Sequence, residues 1–254
     1  MAKRVLFIAS NYGLWAEELE APWNALAAAG FENVLATYKG MTPLPIAVSM
    51  DPEFIDPLQH YPVNPQPVVD RVNQLLETGA WDTPLKVSEA KMSDYDALVM
   101  VGGPGAPLDV TGNLSVHRLV LDAYKSGKTI GAICYAVAAL ALTRDPDNGN
   151  RSVIYGKRVT AHPVEWDFDF DVPYPLVRET PQNKGSDIVT PGFVFPLQRM
   201  VEDAVGDASK VLADPTTNRD KPLVAYDPPF VTGLSVESAI AFGRKLVEVL
   251  GSTT

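Results

Sequence analysis

Reactive side chains are scarce in this chain: one cysteine and three histidines in 254 residues. A single cysteine excludes an intrachain disulfide framework, and no Cys/His pair has zinc-ligand spacing, so neither a metal nor any other cofactor is expected. That usage suits a reducing compartment, and a cytoplasmic location is expected. Long hydrophobic runs are also missing. The first apolar stretch, Val5–Ala9, is too short for a secretory h-region or a membrane span. No block of basic residues occurs, and 31 Asp and Glu against 21 Lys and Arg leave a net charge of −10. That balance argues against nucleic acid or a membrane as partner and leaves a small-molecule substrate as the expectation. The chain has no Gly-x-Ser-x-Gly, and its Gly102–Gly105 loop carries neither Gly-x-Gly-x-x-Gly nor Gly-Lys-Ser/Thr, which argues against a serine elbow and makes that loop a weak match to dinucleotide and phosphate loops.

What is present is ordinary in bulk, 46% apolar and 20% charged, and long enough for one large α/β domain. Short unbroken apolar runs alternate with amphipathic patterns. Val5–Ala9, Asn33–Tyr38, Asp94–Val101 and Thr129–Ile133 read as buried strands. Ala16–Gly30, Val68–Thr78 and residues 114–126 read as helices, the first with Leu19, Trp23, Leu26 and Ala27 on one stripe and Gly30 as its stop. Gly156–Ala161, Leu223–Tyr226 and Phe230–Gly233 read as later strands, and Ser235–Leu250 as a closing helix with Ile240, Leu246, Val247 and Leu250 on one side. The alternation predicts an α/β fold with a single doubly wound, mostly parallel sheet and helices on both faces. One domain over residues 1–254 is expected. Surface insertions are expected near 40–66, where six prolines fall, and near 164–192, rich in Asp, Pro and aromatics.

The cysteine, Cys134, sits where the strand Thr129–Ile133 gives way to an Ala-rich helix. A residue at such a junction is lifted out of the sheet and faces the helix N-terminus, where backbone amides and the dipole favour a thiolate. The competing reading is a small buried hydrophobe. A cysteine nucleophile needs a base, a proton carrier and donors for a developing oxyanion. Among the histidines, His60 lies in the Pro-rich segment and His117 inside a helix as a solvated surface residue, whereas His162 closes a strand and shares the reactive rim of the sheet. Glu18, near the start of the first helix, is the candidate proton carrier, with Glu17 and Glu20 read as solvated helix-face charges. The Gly102-Gly103-Pro104-Gly105 loop follows a buried strand, so the Gly103 amide, with that of Tyr135, is placed to hold an oxyanion.

Together, Glu18–Pro22 with Ala29-Gly30, Asp94–Gly103, Gly131–Cys134 and Val231–Gly233 resemble the DJ-1/PfpI (ThiJ/PfpI) superfamily over most of the chain. The resemblance implies a flavodoxin-like fold of the class I glutamine amidotransferase type, a homodimer, and Cys134 with Glu18 as the functional pair. Gly156–Pro163 looks like the DJ-1 branch, whose nearby histidine falls on His162. Trp15, Glu18–Pro22 and the insert after Asp51-Pro52 look like the Hsp31-like glyoxalase III branch. Two features depart from the pattern: Tyr135 stands where many members have histidine after the cysteine, and the Hsp31-like Gly-Gly-His-Gly loop is Gly102-Gly-Pro-Gly105. The acidic-aromatic run Glu165–Asp171 has no family counterpart, and Trp166 and Phe168 are placed to shape specificity. Amidotransferases carry a His-x-Glu pair far beyond the cysteine, which His162-Pro-Val-Glu165 does not match. The expectation is a cofactor-independent cysteine enzyme that converts a reactive carbonyl to a hydroxy acid in the manner of glyoxalase III. Hydration of an isocyanide-type carbon, or a redox-sensing chaperone without turnover, are the alternatives.

Overall fold

The structure, a computed structural model, describes residues 2–56, 60–167 and 196–252, together with the backbone of 173–175 and 187–189. The chain begins as alternating strands and helices: β1 (Arg4–Ala9), α1 (Ala16–Ala28), β2 (Glu32–Thr37), α2 (Gln66–Glu77), β3 (Leu85–Lys86) and β4 (Ala97–Met100). Then come the short α3 (Ala106–Asp109), α4 (Leu114–Lys125), β5 (Thr129–Ile133) and α5 (Val137–Leu142). Short elements follow: β6 (Arg144–Asp145), β7 (Arg151–Ser152), β8 (Val159–Thr160), α6 (Val164–Asp167), β9 (Pro173–Pro175) and β10 (Asp187–Val189). The chain closes with α7 (Leu197–Val205), β11 (Val211–Leu212), β12 (Val224–Asp227), β13 (Phe230–Gly233) and α8 (Ala239–Ser252).

Seven strands form one sheet in the order β12-β13-β5-β4-β1-β2-β3, parallel throughout except for the β12–β13 hairpin at its edge. The chain moves one way from β1 and the other way from β4, so right-handed crossovers put α1 and α2 on one face and α4 on the other. Helix α8 packs on α1, while α5 packs on α4 and α7. Between these layers β1 is sealed completely from Val5 to Ala9, and the Phe7 and Trp23 rings meet at 5.2 Å. Each such aliphatic or aromatic side chain contributes roughly 1.5–3 kcal/mol by leaving water. The doubly wound, mostly parallel sheet is as the alternation predicts.

Details differ for physical reasons. In α1 the buried stripe is Leu19, Trp23 and Leu26, with Ala27 exposed. In α8 it is Phe242, Gly243, Leu246, Val249 and Leu250, while Ile240 faces out, because Gly243 lets α8 approach the Ala21–Pro22 backbone of α1 closely. The strand expected over 156–161 shrinks to β8, which pairs with β11 outside the main sheet. It still lies beside β13, since the Thr160 amide donates to Thr232 Oγ1 at 2.9 Å. The Pro-rich 40–66 excursion folds back on the start of α1, burying Ile46, Ser49, Val63 and Asn64. Ser49 Oγ accepts the Ala16 amide, and Asn64 Oδ1 accepts the Trp15 indole N–H at 3.1 Å. Among the described residues no helix is long and apolar enough to cross a membrane.

Candidate active site

Three loops at the C-terminal rim of the sheet converge: the start of α1 after β1, the glycine loop after β4, and the turn after β5. Cys134 opens that turn with φ +55°, in the left-handed region. A side chain there costs on the order of 1 kcal/mol or more, and such strain persists where the surroundings enforce it. The backbone passes through a 3₁₀ turn over Cys134–Ala136 into α5, which is only six residues long. Local amides rather than a long aligned helix therefore supply the positive field: the N–H groups of Gly103 and Tyr135 both donate to the Cys134 sulfur. The two amides expected to hold an oxyanion thus face the sulfur, at the position where negative charge begins.

The first turn of α1 brings up Glu17 and Glu18 and the next turn opens with Glu20, and all three are buried. Reading Glu17 and Glu20 as solvated charges is therefore incorrect. Each instead has its own arginine. Arg219 forks onto Glu17, with Nη1 to Oε1 at 2.8 Å and Nη2 on Oε2. Arg71 Nε reaches Glu20 Oε1 at 2.6 Å. Among the described residues no cation pairs with Glu18. Its Oε2 accepts the Gly102 amide at 3.0 Å and its carboxyl group hydrogen-bonds Cys134. An unpaired buried carboxylate is costly, so the group holds its proton instead. Burial pushes Glu18 up to about 8 against the partial relief of Cys134 and Gly102, with the negative charges of Glu237 and Glu17 adding to the rise.

Burial also pushes the Cys134 thiol well up, and the Glu18 charge adds to this, while the Gly103 and Tyr135 amides oppose it. The simple expectation of a thiolate favoured by a helix end is thus modified. Sulfur and carboxyl form one buried unit, neutral at neutral pH, with a hydrogen bond along which a proton can move. When Glu18 carries the proton its repulsion of the sulfur vanishes, and the two amides are left to stabilise negative charge there.

Gly102 and Gly103 make this contact possible. A Cβ on Gly102 would lie 2.8 Å from the Tyr135 amide nitrogen and 2.9 Å from both Cys134 Cβ and Glu18 Oε2. Gly103 has φ +93°, and a Cβ there would meet the Trp15 nitrogen at 2.4 Å. The strand-to-loop step must be side-chain-free for α1 and the elbow to close on it.

His162, just after β8, meets the elbow through Tyr135 rather than through the sulfur, with ring centroids 5.1 Å apart. Its Nδ1 lies 2.7 Å from Asp167 Oδ1, the oxygen that also accepts the Tyr135 hydroxyl at 2.9 Å. Asp167 Oδ2 accepts the Leu197 amide at 3.1 Å. A carboxylate on Nδ1 fixes the proton there and leaves Nε2 as an acceptor, the tautomer a base needs. Trp166 stands edge-on to the His162 ring at 5.2 Å. Asp167 was missed by sequence reasoning, although it lies five residues after His162 in the acidic-aromatic run. Phe168 lies outside the described residues. Of the other histidines, His60 is exposed at φ +58°, and His117 is half-buried, with Nε2 2.7 Å from the Thr111 carbonyl. Among the described residues no three His, Cys, Asp or Glu side chains are grouped to hold a metal.

Comparison with known proteins agrees with this architecture. The DJ-1/PfpI family model matches residues 3–168, from β1 through Glu18 and Cys134 to Asp167. A bovine (Bos taurus) glutamine amidotransferase-like class 1 domain-containing protein 1 is 28% identical over 173 residues, covering 68% of this chain and 67% of its own. The Francisella tularensis Rapid Encystment Protein of 24 kDa superposes with a TM-score of 0.73 at 21% identity, covering 98% of this chain and 99% of that one. Glyoxalase III from Candida albicans gives 0.66 at 17% identity, over 97% and 96%. At these identities the two structures speak for the fold.

Proposed function

The chain belongs to the DJ-1/PfpI family, and from that premise we propose that it is a cofactor-independent enzyme in which Cys134 converts a 2-oxoaldehyde of the glyoxal type to a 2-hydroxy acid. The observation that carries this reading is the pairing of the sole cysteine with Glu18, the one of the three carboxyl groups at the start of α1 that has no cation partner among the described residues. The sulfur adds to the aldehyde carbon while Glu18 gives its proton to the carbonyl oxygen and takes the thiol proton in exchange. Developing charge on sulfur and oxygen is met by the Gly103 and Tyr135 amides. His162 Nε2 then removes the hydrogen from the former aldehyde carbon and returns it to the neighbouring carbon, while the hydroxyl proton on the first carbon's oxygen passes to the neighbouring carbonyl oxygen by way of the enediol, leaving a 2-hydroxy thioester. Water cleaves that ester and regenerates the thiol. Summed, one water adds to the oxoaldehyde and nothing is oxidised or reduced overall.

The fold neighbour named glyoxalase III supports the substrate class. The direct test is Cys134→Ala against wild type on methylglyoxal, with the hydroxy acid product measured. Loss of product to background is the expected result, and undiminished turnover overturns the assignment. Substrate profiling extended to isocyanides decides whether the same pair serves hydration instead.

A further inference from the structure

Arg219 lies in the loop between β11 and β12, 202 residues from Glu17 in sequence, yet its guanidinium closes over the first turn of α1. Besides its fork on Glu17 it donates to the Val63 carbonyl, so one side chain ties together that loop, the 40–66 excursion and the turn that carries Glu18. The pair is buried: Glu17 has no exposed side-chain surface and Arg219 keeps 23% of its own. Charge there is weakly screened, and Glu18 is the next residue along the helix.

We propose that Arg219 is a positioning residue that, through its fork on Glu17, sets the net charge felt by the Glu18–Cys134 pair and thereby the readiness of the sulfur to ionise. The fork offsets, in part, two charges that act on the pair with opposite signs, the Glu17 charge still reaching Glu18. A bare carboxylate at Glu17 repels charge on Glu18 and Cys134, while a bare guanidinium at Arg219 attracts it. Other charged or titratable groups complete the surroundings. Glu20 is neutralised by Arg71 from α2. Glu237, after β13, accepts the Tyr61 hydroxyl at 2.7 Å and the Ser235 hydroxyl, and it also faces Arg219. Glu237 therefore adds negative charge that Arg219 offsets from the same side.

The inference rests on the reading of Cys134 as the reacting group, but its test does not require the substrate to be right. Cys134 is the only cysteine, so alkylation of the folded protein by the neutral reagent iodoacetamide at neutral pH reports the thiolate fraction at this one site. Glu17→Gln leaves Arg219 charged without its fork, with Glu237 its remaining acidic neighbour, and alkylation accelerates about 10-fold, equivalent to about one pH unit in the sulfur's ionisation. Adding Arg219→Gln removes that charge and brings the double variant back to within about 2-fold of wild type. Arg219→Gln alone gives no acceleration. A merely structural pair would behave differently, since loosening the turn exposes the sulfur and speeds alkylation in every variant. Equal acceleration in Glu17→Gln and the double variant, or a Glu17→Gln rate unchanged from wild type, overturns the proposal. Failure of methylglyoxal turnover in the wild type would leave this pattern intact, so the two readings fail separately.

Discussion

Replacing Gly102 by alanine inserts one methyl group at the point where three walls of the site meet. The added Cβ would lie 2.8 Å from the Tyr135 amide nitrogen and 2.9 Å from both Cys134 Cβ and Glu18 Oε2. Two of these neighbours belong to the elbow, whose backbone is held at φ +55°, and the third is the carboxyl oxygen bonded to the Gly102 amide. Two of the three are fixed to the elbow backbone, and the third can yield only by breaking the Glu18 bond to the Gly102 amide, so relief requires the loop or the elbow to move or the Glu18 carboxyl to swing away. Overpacking of this kind costs about 1–3 kcal/mol. For a protein of this size each 1 kcal/mol lowers Tm by about 2–4 °C, so a drop of roughly 2–12 °C is expected. The easiest shift parts Glu18 from the sulfur, so the Cys134 alkylation rate and its pH profile change as well. Gly112→Ala is the control: nothing lies within 4 Å of a Cβ there, and its Tm should hold or rise slightly. Thermal denaturation by circular dichroism, with iodoacetamide kinetics on both variants, decides the matter. A Gly102→Ala protein as stable and as reactive as wild type would refute the geometry on which the active-site assignment stands.

Three further outcomes follow from the same contacts. Glu18→Gln removes the proton carrier, and kcat for the oxoaldehyde falls about 100-fold or more, as read in a steady-state assay. The same substitution changes stability with pH: a carboxyl group raised from 4.5 in the unfolded chain to about 8 when folded stabilises fully below 4.5, and that contribution is lost as pH rises toward 8. Wild type should therefore lose on the order of a few kcal/mol over that window and Glu18→Gln much less, in urea titrations at several pH values. Asp167→Asn leaves His162 Nδ1 and the Tyr135 hydroxyl on a neutral amide, so the histidine tautomer is no longer fixed, and kcat/KM falls about 10-fold or more with little change in the Cys134 alkylation rate.

The frame was legible in the sequence because its signal is local. Unbroken apolar runs such as Val5–Ala9 and Thr129–Ile133 fit only strands buried on both faces, and they appear at those positions. The elbow was legible for the same reason, since a strand running into an Ala-rich segment at the only cysteine is a contiguous pattern. Strand β3, only Leu85–Lys86, carries too few residues for any period, and β8 starts later than expected because Gly156, at φ +75°, turns the chain just before it.

Electrostatics of the site were not legible, and the start of α1 shows why. Glu17, Glu18 and Glu20 have the same chemistry and nearly the same place on one helix, so nothing within the helix ranks them. What separates them is which one receives a cation, and the cations arrive from Arg71 and Arg219, 51 and 202 residues away. A helix-face pattern of acids normally signals solvent, because burying three carboxylates without compensation is prohibitive. Here compensation is supplied to two and withheld from the third, and the one left without it lies against the sulfur. Selective omission of a partner, rather than any feature of Glu18 itself, leaves that carboxyl group holding its proton near neutral pH. The state of the Glu18–Cys134 pair is therefore a property of the folded arrangement of all four partners, Glu17, Glu20, Arg71 and Arg219, and a sequence read one segment at a time cannot contain it.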